Sequence, residues 1–523
     1  MLTCESLPYT HKSNLRRLIC MIDFAKIFTT VGTLAEEKKI RAFAVGGFVR
    51  DMLMHQGVTK DIDIVVEGSG IEFARAFDSQ VKQEGSLVEF SDFDTARYVY
   101  TQETEGGKKE KLFELEFAGA RSEKYDNTSR KPDVTATTLE EDLKRRDFTV
   151  NAIALPILSS GLSSEVIDLF DGAKDIEAKI LRTPLDPDIT FSEDPLRMLR
   201  AARFASQLNF TIDERTYDAI ARNRGRLTII SKERICEEFF KLLSTPVPSL
   251  GLWILYHTGL INEFLPEVSE LNGVEELYGH QHKNNLVHSF KVVDNIAERT
   301  DNVLLRFAAL MHDIGKPGTK SFIAGRGWAF DMHEHLGKKI VRDVGRRLRM
   351  SKDDIEYVAL LVRWHQQPIS LMDEGVTDSP VRRLIVNLKD HLPDLLKLCR
   401  SDITTGNPYK LKRRLKNYDY LEKRIVEVTE KDKLRAFQSP VRGEEIMELA
   451  GLKAGPTVGK IKKRIENAIL DGEIPNEYGA ALEYFEKIRQ EYLLEAEEWE
   501  LEKSKRKIST FAKTKADRQK RKE

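Results

Sequence analysis

Little in this sequence invites a disulfide framework. Its 523 residues hold four cysteines, Cys4, Cys20, Cys236 and Cys399, and none forms a C-x-x-C pair. That argues against a cysteine-based zinc site and a stapled secreted fold, and for a reducing cytoplasm. Long apolar runs are missing as well: none approaches the roughly 18 residues that a membrane span needs. The opening MLTCESLPYTHKSNLRRLICM has no long apolar core, so no signal peptide is expected. Net charge is nearly absent too, at −1, although 32% of residues are charged. Net charge therefore does not point to nucleic acid, and any such surface must be a local patch. Residues 503–523 are one such patch, with ten Lys/Arg against two acids. They read either as a solvated disordered tail or as an arm that tracks phosphates.

What is present is enough apolar material, 41%, for several cores, and a length that suggests about three or four domains. Strand-like runs fill the first third: IRAFAVGG, DIDIVVEG, SLVEF, TARYVYTQ and LFELEFAGAR. The last two read as a hairpin with Gly106-Gly107 at its tip. After about Leu155 helical periodicity takes over, as in DPLRMLRAARFASQL and SKERICEEFFKLL. The expected class is α+β: a head with a small mixed sheet, then an all-helical remainder.

The stretch VGGFVRDMLMHQGVTKDIDIVVEG carries the first chemistry. Gly46 and Gly47 let backbone approach a phosphate, the helix that follows offers unpaired N–H groups, and Arg50 adds a fork beside Asp51. Asp61 and Asp63 lie two apart in a strand, so both carboxylates face one side. Two unpaired carboxylates side by side repel and are costly to bury. Two Mg²⁺ ions would resolve that cost and bridge substrate phosphates for an in-line displacement. A third carboxylate is expected on a neighbouring strand, Glu116 first and Glu114 in reserve, with Arg121 five residues beyond Glu116. In LKRRDFTVNA, Arg145, Arg146 and Asp147 suit phosphate recognition or a surface ion-pair patch.

In FSEDPLRMLRAARFASQL, Ser192 is expected to cap one helix with Glu193, Asp194 and Pro195 in its first turn. Asp194 and Arg197 would then share a face that Arg200 and Arg203 continue. An Asp acceptor beside an Arg donor matches the amine and ring nitrogen of cytosine and adenine. Guanine and uracil would leave that pair unmatched, a mismatch that can cost roughly 10⁴-fold. In SKERICEEFF, Ser231 is read as an N-cap, and Arg234 with Glu238 as an i,i+4 pair.

Together VGGFVRD, DIDIVV, RRDFTVNA, DLFDGAKDIEAKILR, EDPLRMLRAARF and SKERICEEFFKLL resemble, in order, motifs A to E of class II tRNA nucleotidyltransferases and bacterial poly(A) polymerases. The resemblance covers roughly residues 40–245. It implies that Asp61 and Asp63 hold Mg²⁺, and that Gly47, Arg50 and Arg146 contact the triphosphate. Asp194 and Arg197 would replace a nucleic-acid template, with Arg200 nearby. Residues 125–143 resemble the family's flexible loop. Implied partners are CTP, ATP and the 3′ end of tRNA, and no membrane. Poly(A) addition and partial CC or A addition stay open.

Further on, His288, His312-Asp313, His333, His365 and Asp402 are spread over helical segments. An adjacent His-Asp can share one metal, with distant ligands closing the shell. The set resembles the HD phosphohydrolase superfamily. That resemblance implies a metal on His288, His312, Asp313 and Asp402. His333, with His335 as its rival, and His365 would serve a second divalent metal or a phosphate. A phosphohydrolase with a merely nucleotide-binding head, and a silent HD scaffold for RNA, both stay open. The expected domains are an extension (1–24), a nucleotidyltransferase head (25–155) and a helical neck (156–270). An HD region (271–425), a helical tail (426–500) and a basic tail (501–523) follow. In the helical tail, Gly455, Pro456 and Gly459 precede a helix start rich in Lys, either a packed cap or a phosphate-holding end.

Overall fold

The computed structural model describes residues 24–55, 61–81, 85–103, 109–124, 133–273, 276–277, 280–281, 284–373, 375–432, 439–453 and 455–494. The Gly106-Gly107 tip, residues 125–132 of the expected flexible loop and the basic tail lie outside them. The chain forms two compact units, Met1–Val362 and Arg363–Glu523. Among the described residues, no helix is long and apolar enough to cross a membrane.

The first unit opens with a sheet. Its strands are β1 (Ala42–Val45), β2 (Asp61–Val66), β3 (Ser86–Phe90), β4 (Thr95–Glu103) and β5 (Lys109–Gly119). After a separate hairpin, β6 (Arg121–Lys124) and β7 (Asp133–Ala136), come β8 (Ile153–Leu158), β9 (Gly161–Leu162) and β10 (Ile167–Asp168). The order is β10-β8-β1-β2-β5-β4-β3, with β9 on β8. The β2–β5 pair is parallel, while β4 and β5 form the expected antiparallel hairpin. The sheet therefore does not stop at residue 155, the expected end of the head: β8 runs through that point and β10 lies beyond it. Two-residue strands are too short to show a period in sequence.

The two sheet faces differ. Ile62, Ile64, Leu115 and Phe117 pack with Phe73 and Phe77 of the helix Gly70–Gln80 and with Val31 and Leu34 of the helix Phe24–Lys38. On the other face Val45, Val65 and Ala154 meet Leu139 and Leu143, leaving the ends of β2 and β5 to acids. At Gly32 a Cβ would lie 1.9 Å from the Leu158 carbonyl oxygen, so only glycine lets that helix seat on β8.

Helices dominate the rest of this unit. Leu196–Leu208 packs against Lys232–Leu243 and Pro248–His257. Asn284 and Asn302 cap Asn285–Ala297 and Val303–Met311, each accepting from two backbone N–H groups. The helix expected to start from a Ser192 cap starts later, at Leu196, and a separate helix precedes it. Pro187–Glu193 ends at Asp194, whose extended backbone separates it from Leu196–Leu208. Ser192 sits inside the first helix and caps neither. Proline is accepted in a first turn, so sequence alone read through the break.

The second unit holds the helices Asp378–Leu388, Leu392–Ser401 and Pro408–Asp432, the last running through the expected boundary at 425. Beyond it Gly443–Ala450 and Pro456–Leu470 share a core of Val441, Ile446, Ile461, Ile465 and Phe485.

Candidate active site

Register brings the acids together. Asp61 pairs with Glu114 and Asp63 with Glu116 across β2 and β5, so all four carboxylates share one face. Glu116 stands directly beside Asp63 and is bonded by Arg97 of β4 at 2.8 Å. Lys111 holds Asp61 at 3.0 Å and Glu114 at 2.8 Å. Burial raises the Asp63 carboxyl to about 6, Arg146 opposes that rise, and Glu116 and Asp61 add to it. Carboxylates ranked on one sheet face, one of them buried, offer the oxygen ligands that a hard divalent cation takes. Gly46 completes the floor. Its φ of +73° suits glycine, and a Cβ there would stand 2.9 Å from Asp63 Oδ2 and 3.1 Å from Arg146 Nη1.

Arginines make the walls of a cavity of about 920 Å³ that these acids line. Their aim is set by buried carboxylates. Asp142, fully buried, accepts from Arg145 at 2.5 Å and Arg146 at 3.1 Å. Asp147 accepts from Arg200 Nη2 at 2.6 Å, Asn151 Nδ2 at 3.0 Å and the Phe148 N–H at 2.9 Å. Burial pushes Asp147 up, but Arg200 and Asn151 outweigh it and bring it down to about 2. Arg203 is paired with the buried Glu238. The Phe204 ring lies under three guanidinium groups, Arg203 at 3.9 Å, Arg200 at 5.2 Å and Arg50 at 5.3 Å. Arg50 is only 3% exposed and donates to Asp51 and Asn151. It lines the cavity from beneath the glycine turn, its Nη2 3.5 Å from where a Gly47 Cβ would stand. Arg121 donates to the Phe93 carbonyl at 2.6 Å and to Thr95 Oγ1.

The expected side-chain pair of Asp194 and Arg197 has other partners. Arg197 donates to the carbonyls of Thr190 and Arg145 and to Glu193. Asp194 accepts from the Leu196 N–H at 3.1 Å and faces Arg234 at 3.4 Å. The helix break separates the two carboxylate and guanidinium directions that a continuous helix would align. Arg234 does not brace its own helix through Glu238, because Glu238 is paired with Arg203 while Arg234 faces Asp194. Ser231 holds the N-cap position of that helix without a side-chain cap bond.

A second cluster forms where the helix Val303–Met311 ends. Asp313 Oδ2 lies 3.2 Å from His312 Nε2 and 3.6 Å from His288 Nε2, and Oδ1 lies 3.3 Å from His333 Nε2. Backbone carbonyls fix the rings: Ala309 O at 2.8 Å from His312 Nδ1, and Phe330 O at 2.8 Å from His333 Nδ1. Those bonds leave each Nε2 turned toward Asp313. Burial raises the Asp313 carboxyl, but His312, Lys316 and His333 outweigh it and hold it well below the carboxylate range. His333, not the exposed His335, faces Asp313. His365 and Asp402 belong to the second unit, where His365 O accepts from Cys399 Sγ.

Family models match three stretches: Poly A polymerase head domain (42–182), Probable RNA and SrmB-binding site of polymerase A (209–271) and HD domain (285–400). The A-adding tRNA nucleotidyltransferase of Deinococcus radiodurans is 31% identical over 345 residues, 64% of this chain and 76% of its own. The chain belongs to the tRNA nucleotidyltransferase and poly(A) polymerase family. A second member, the Multifunctional CCA protein of Burkholderia cenocepacia strain HI2424, is 31% identical over 377 residues, 69% of this chain and 84% of its own. A solved Bacillus stearothermophilus CCA-adding enzyme in complex with CTP shares the fold: TM-score 0.59, 24% identity, 90% of this chain and 98% of that one. Nucleotidyltransferases of this family, and HD domains, depend on divalent metal.

Within the family frame, one cavity gathers Gly46, Gly47, Arg50, Asp51, Asp61, Asp63, Glu116, Arg121, Arg146, Asp147, Asp194, Arg197, Arg200 and Arg203. It adds residues that sequence reasoning passed over: Arg97, Asn151, Phe204 and, behind the wall, Asp142. Asp142 did leave a signal, its i,i+3 and i,i+4 spacing to Arg145 and Arg146. Arg97 left none, because it reaches the site only through strand register.

Proposed function

We propose that this chain is a template-independent RNA nucleotidyltransferase that builds or repairs the 3′-terminal CCA of tRNA from CTP and ATP. The observation that carries the reading is the row Asp61, Asp63 and Glu116 opening into an arginine-walled cavity. The terminal ribose 3′-oxygen forms a bond to the α-phosphorus, the bond to pyrophosphate breaks, and the hydroxyl proton is released. Asp61, Asp63 and Glu116 would hold Mg²⁺, which, when bound, lowers the pKa of that hydroxyl and neutralises phosphate charge. The Gly46-Gly47 turn receives the triphosphate, Arg146 faces it, and Asp142 fixes the direction of Arg146. Asp194 and Arg197 are the base readers; the five N–H groups of Arg197 exceed the three acceptors it already meets. With Arg234 near Asp194, donor and acceptor for cytosine or adenine come from two helices.

The 31% identity to an A-adding relative favours a second reading, addition of the final A alone. Incubation with tRNA lacking its 3′ end, with each labelled nucleotide separately and together, decides. Ordered C, C, A addition that then stops is the expected result. A added only to tRNA already ending in CC selects the second reading, and long A tails overturn both.

A further inference from the structure

The catalytic face does not end at the carboxylates. Asp63, Glu116, Arg97 and Val88 are register partners on four successive strands, so they form one rank on one face. β3 is the last strand in that direction. Its side chains alternate. Leu87 packs into the core and Glu89 pairs with Arg75, which puts Val88 and Phe90 on the side of Arg97.

These apolar groups are open: Val88 is 47% exposed, Phe90 39%, and Phe93, in the turn after β3, 42%. Phe93 also lines the cavity. Each ring carries a guanidinium, Arg97 5.4 Å from Phe90 and Arg121 5.9 Å from Phe93. The turn itself is pinned, since Asp94 accepts from the Gly70 N–H at 2.9 Å and Ser69 Oγ at 2.8 Å. Fixed, exposed rings next to cations, continuous with a nucleotide cavity, are the elements of a single-strand stacking platform.

We propose that Phe90 and Phe93, with Arg97 and Arg121, stack and neutralise the unpaired 3′-terminal nucleotides of the RNA acceptor. This rests on the nucleotidyltransferase reading. The acceptor's last hydroxyl must reach the carboxylates, and the strip begins beside Glu116. Three strand spacings put Val88 about 14 Å from Asp63, within reach of a few nucleotides. Every base has a face that stacks on a ring, so the strip tolerates C or A at the growing end, as a stepwise reaction requires.

The test uses the full chain and its variants Phe93→Ala, Phe93→Leu, Phe93→Tyr and Phe90→Ala/Phe93→Ala. Anisotropy measures binding of a labelled single-stranded RNA ending in CC, and kinetics give KM for tRNA and for CTP. Ala and Leu are expected to weaken RNA binding by at least about fivefold, with Tyr restoring it. KM for tRNA should rise in parallel while KM for CTP stays unchanged. Equal RNA affinity in all variants overturns the proposal, as does a rise in the KM for CTP alone. An exposed edge can also pair with a second copy of the chain. Unchanged RNA binding together with a dimer that only the variants lose, seen by sedimentation, would assign the strip to that contact and overturn the proposal. If the wild-type chain extends no RNA yet the variants still lose oligonucleotide affinity, the strip stands and the nucleotidyltransferase reading falls.

Discussion

Gly46 shows how little space a single residue leaves here. A Cβ there would meet Asp63 and Arg146, and a φ of +73° already disfavours any side chain. Gly46→Ala is therefore expected to cost about 1–3 kcal/mol by thermal melting and to raise KM for nucleotide, because the turn and both charges must shift together. Asp147 gives a prediction with a pH signature. Its folded pKa of about 2 lies below the roughly 3.9 of an unfolded aspartate. The carboxylate therefore contributes stability above about pH 4 and loses that contribution as pH falls toward 2. Asp147→Asn should be less stable than wild type at pH 7 by roughly 3 kcal/mol, since Arg200 is left without its buried partner. The gap should close between about pH 4 and 2. A gap independent of pH would mean that shape, not charge, holds Arg200.

At the scale of elements, the sequence spoke where a period was long enough to count. Alternation in DIDIVV put Asp61 and Asp63 on one face, and that is how β2 lies. Nothing local announced that β2 would pair in parallel with β5, so Glu116 could be named as a third acid but not matched to Asp63. The break at Asp194–Pro195 reads in sequence as the first turn of one helix because proline fits a helix start, and the Asp194–Arg197 alignment is misread with it. The packing of the helix Phe24–Lys38 on β8 is equally silent in sequence and rests on Gly32. Gly32→Ala forces its Cβ into the Leu158 carbonyl, so helix and strand must part. A loss of about 1–3 kcal/mol in urea unfolding is expected, with the residual folded protein still binding nucleotide.

On the scale of the molecule, two clusters of metal-capable side chains sit on one chain. The carboxylate cavity and the cluster of His288, His312, Asp313 and His333 share no residue. The double variant His312→Ala/Asp313→Ala is expected to add nucleotides to tRNA at the wild-type rate while losing metal measured per chain by elemental analysis. Loss of addition with an unchanged circular-dichroism spectrum would show that the two centres work as one. The limit of the head expected at residue 155 falls inside β8, and β9 and β10 carry the sheet onward in strands too short to read in sequence.

The parallel β2–β5 contact also has a thermodynamic side. Asp63 and Glu116 are neighbours only after the hairpin of β4 and β5 has folded back on β2, so the unfolded chain has no such site. A divalent ion that binds there binds the native state alone, and by linkage it must add RT ln(1 + [M]/Kd) to the stability of the head, about 2.7 kcal/mol at a hundred times Kd. The ion is then a clasp on the fold as well as a reagent, and chelation should make the head easier to unfold before any substrate is present.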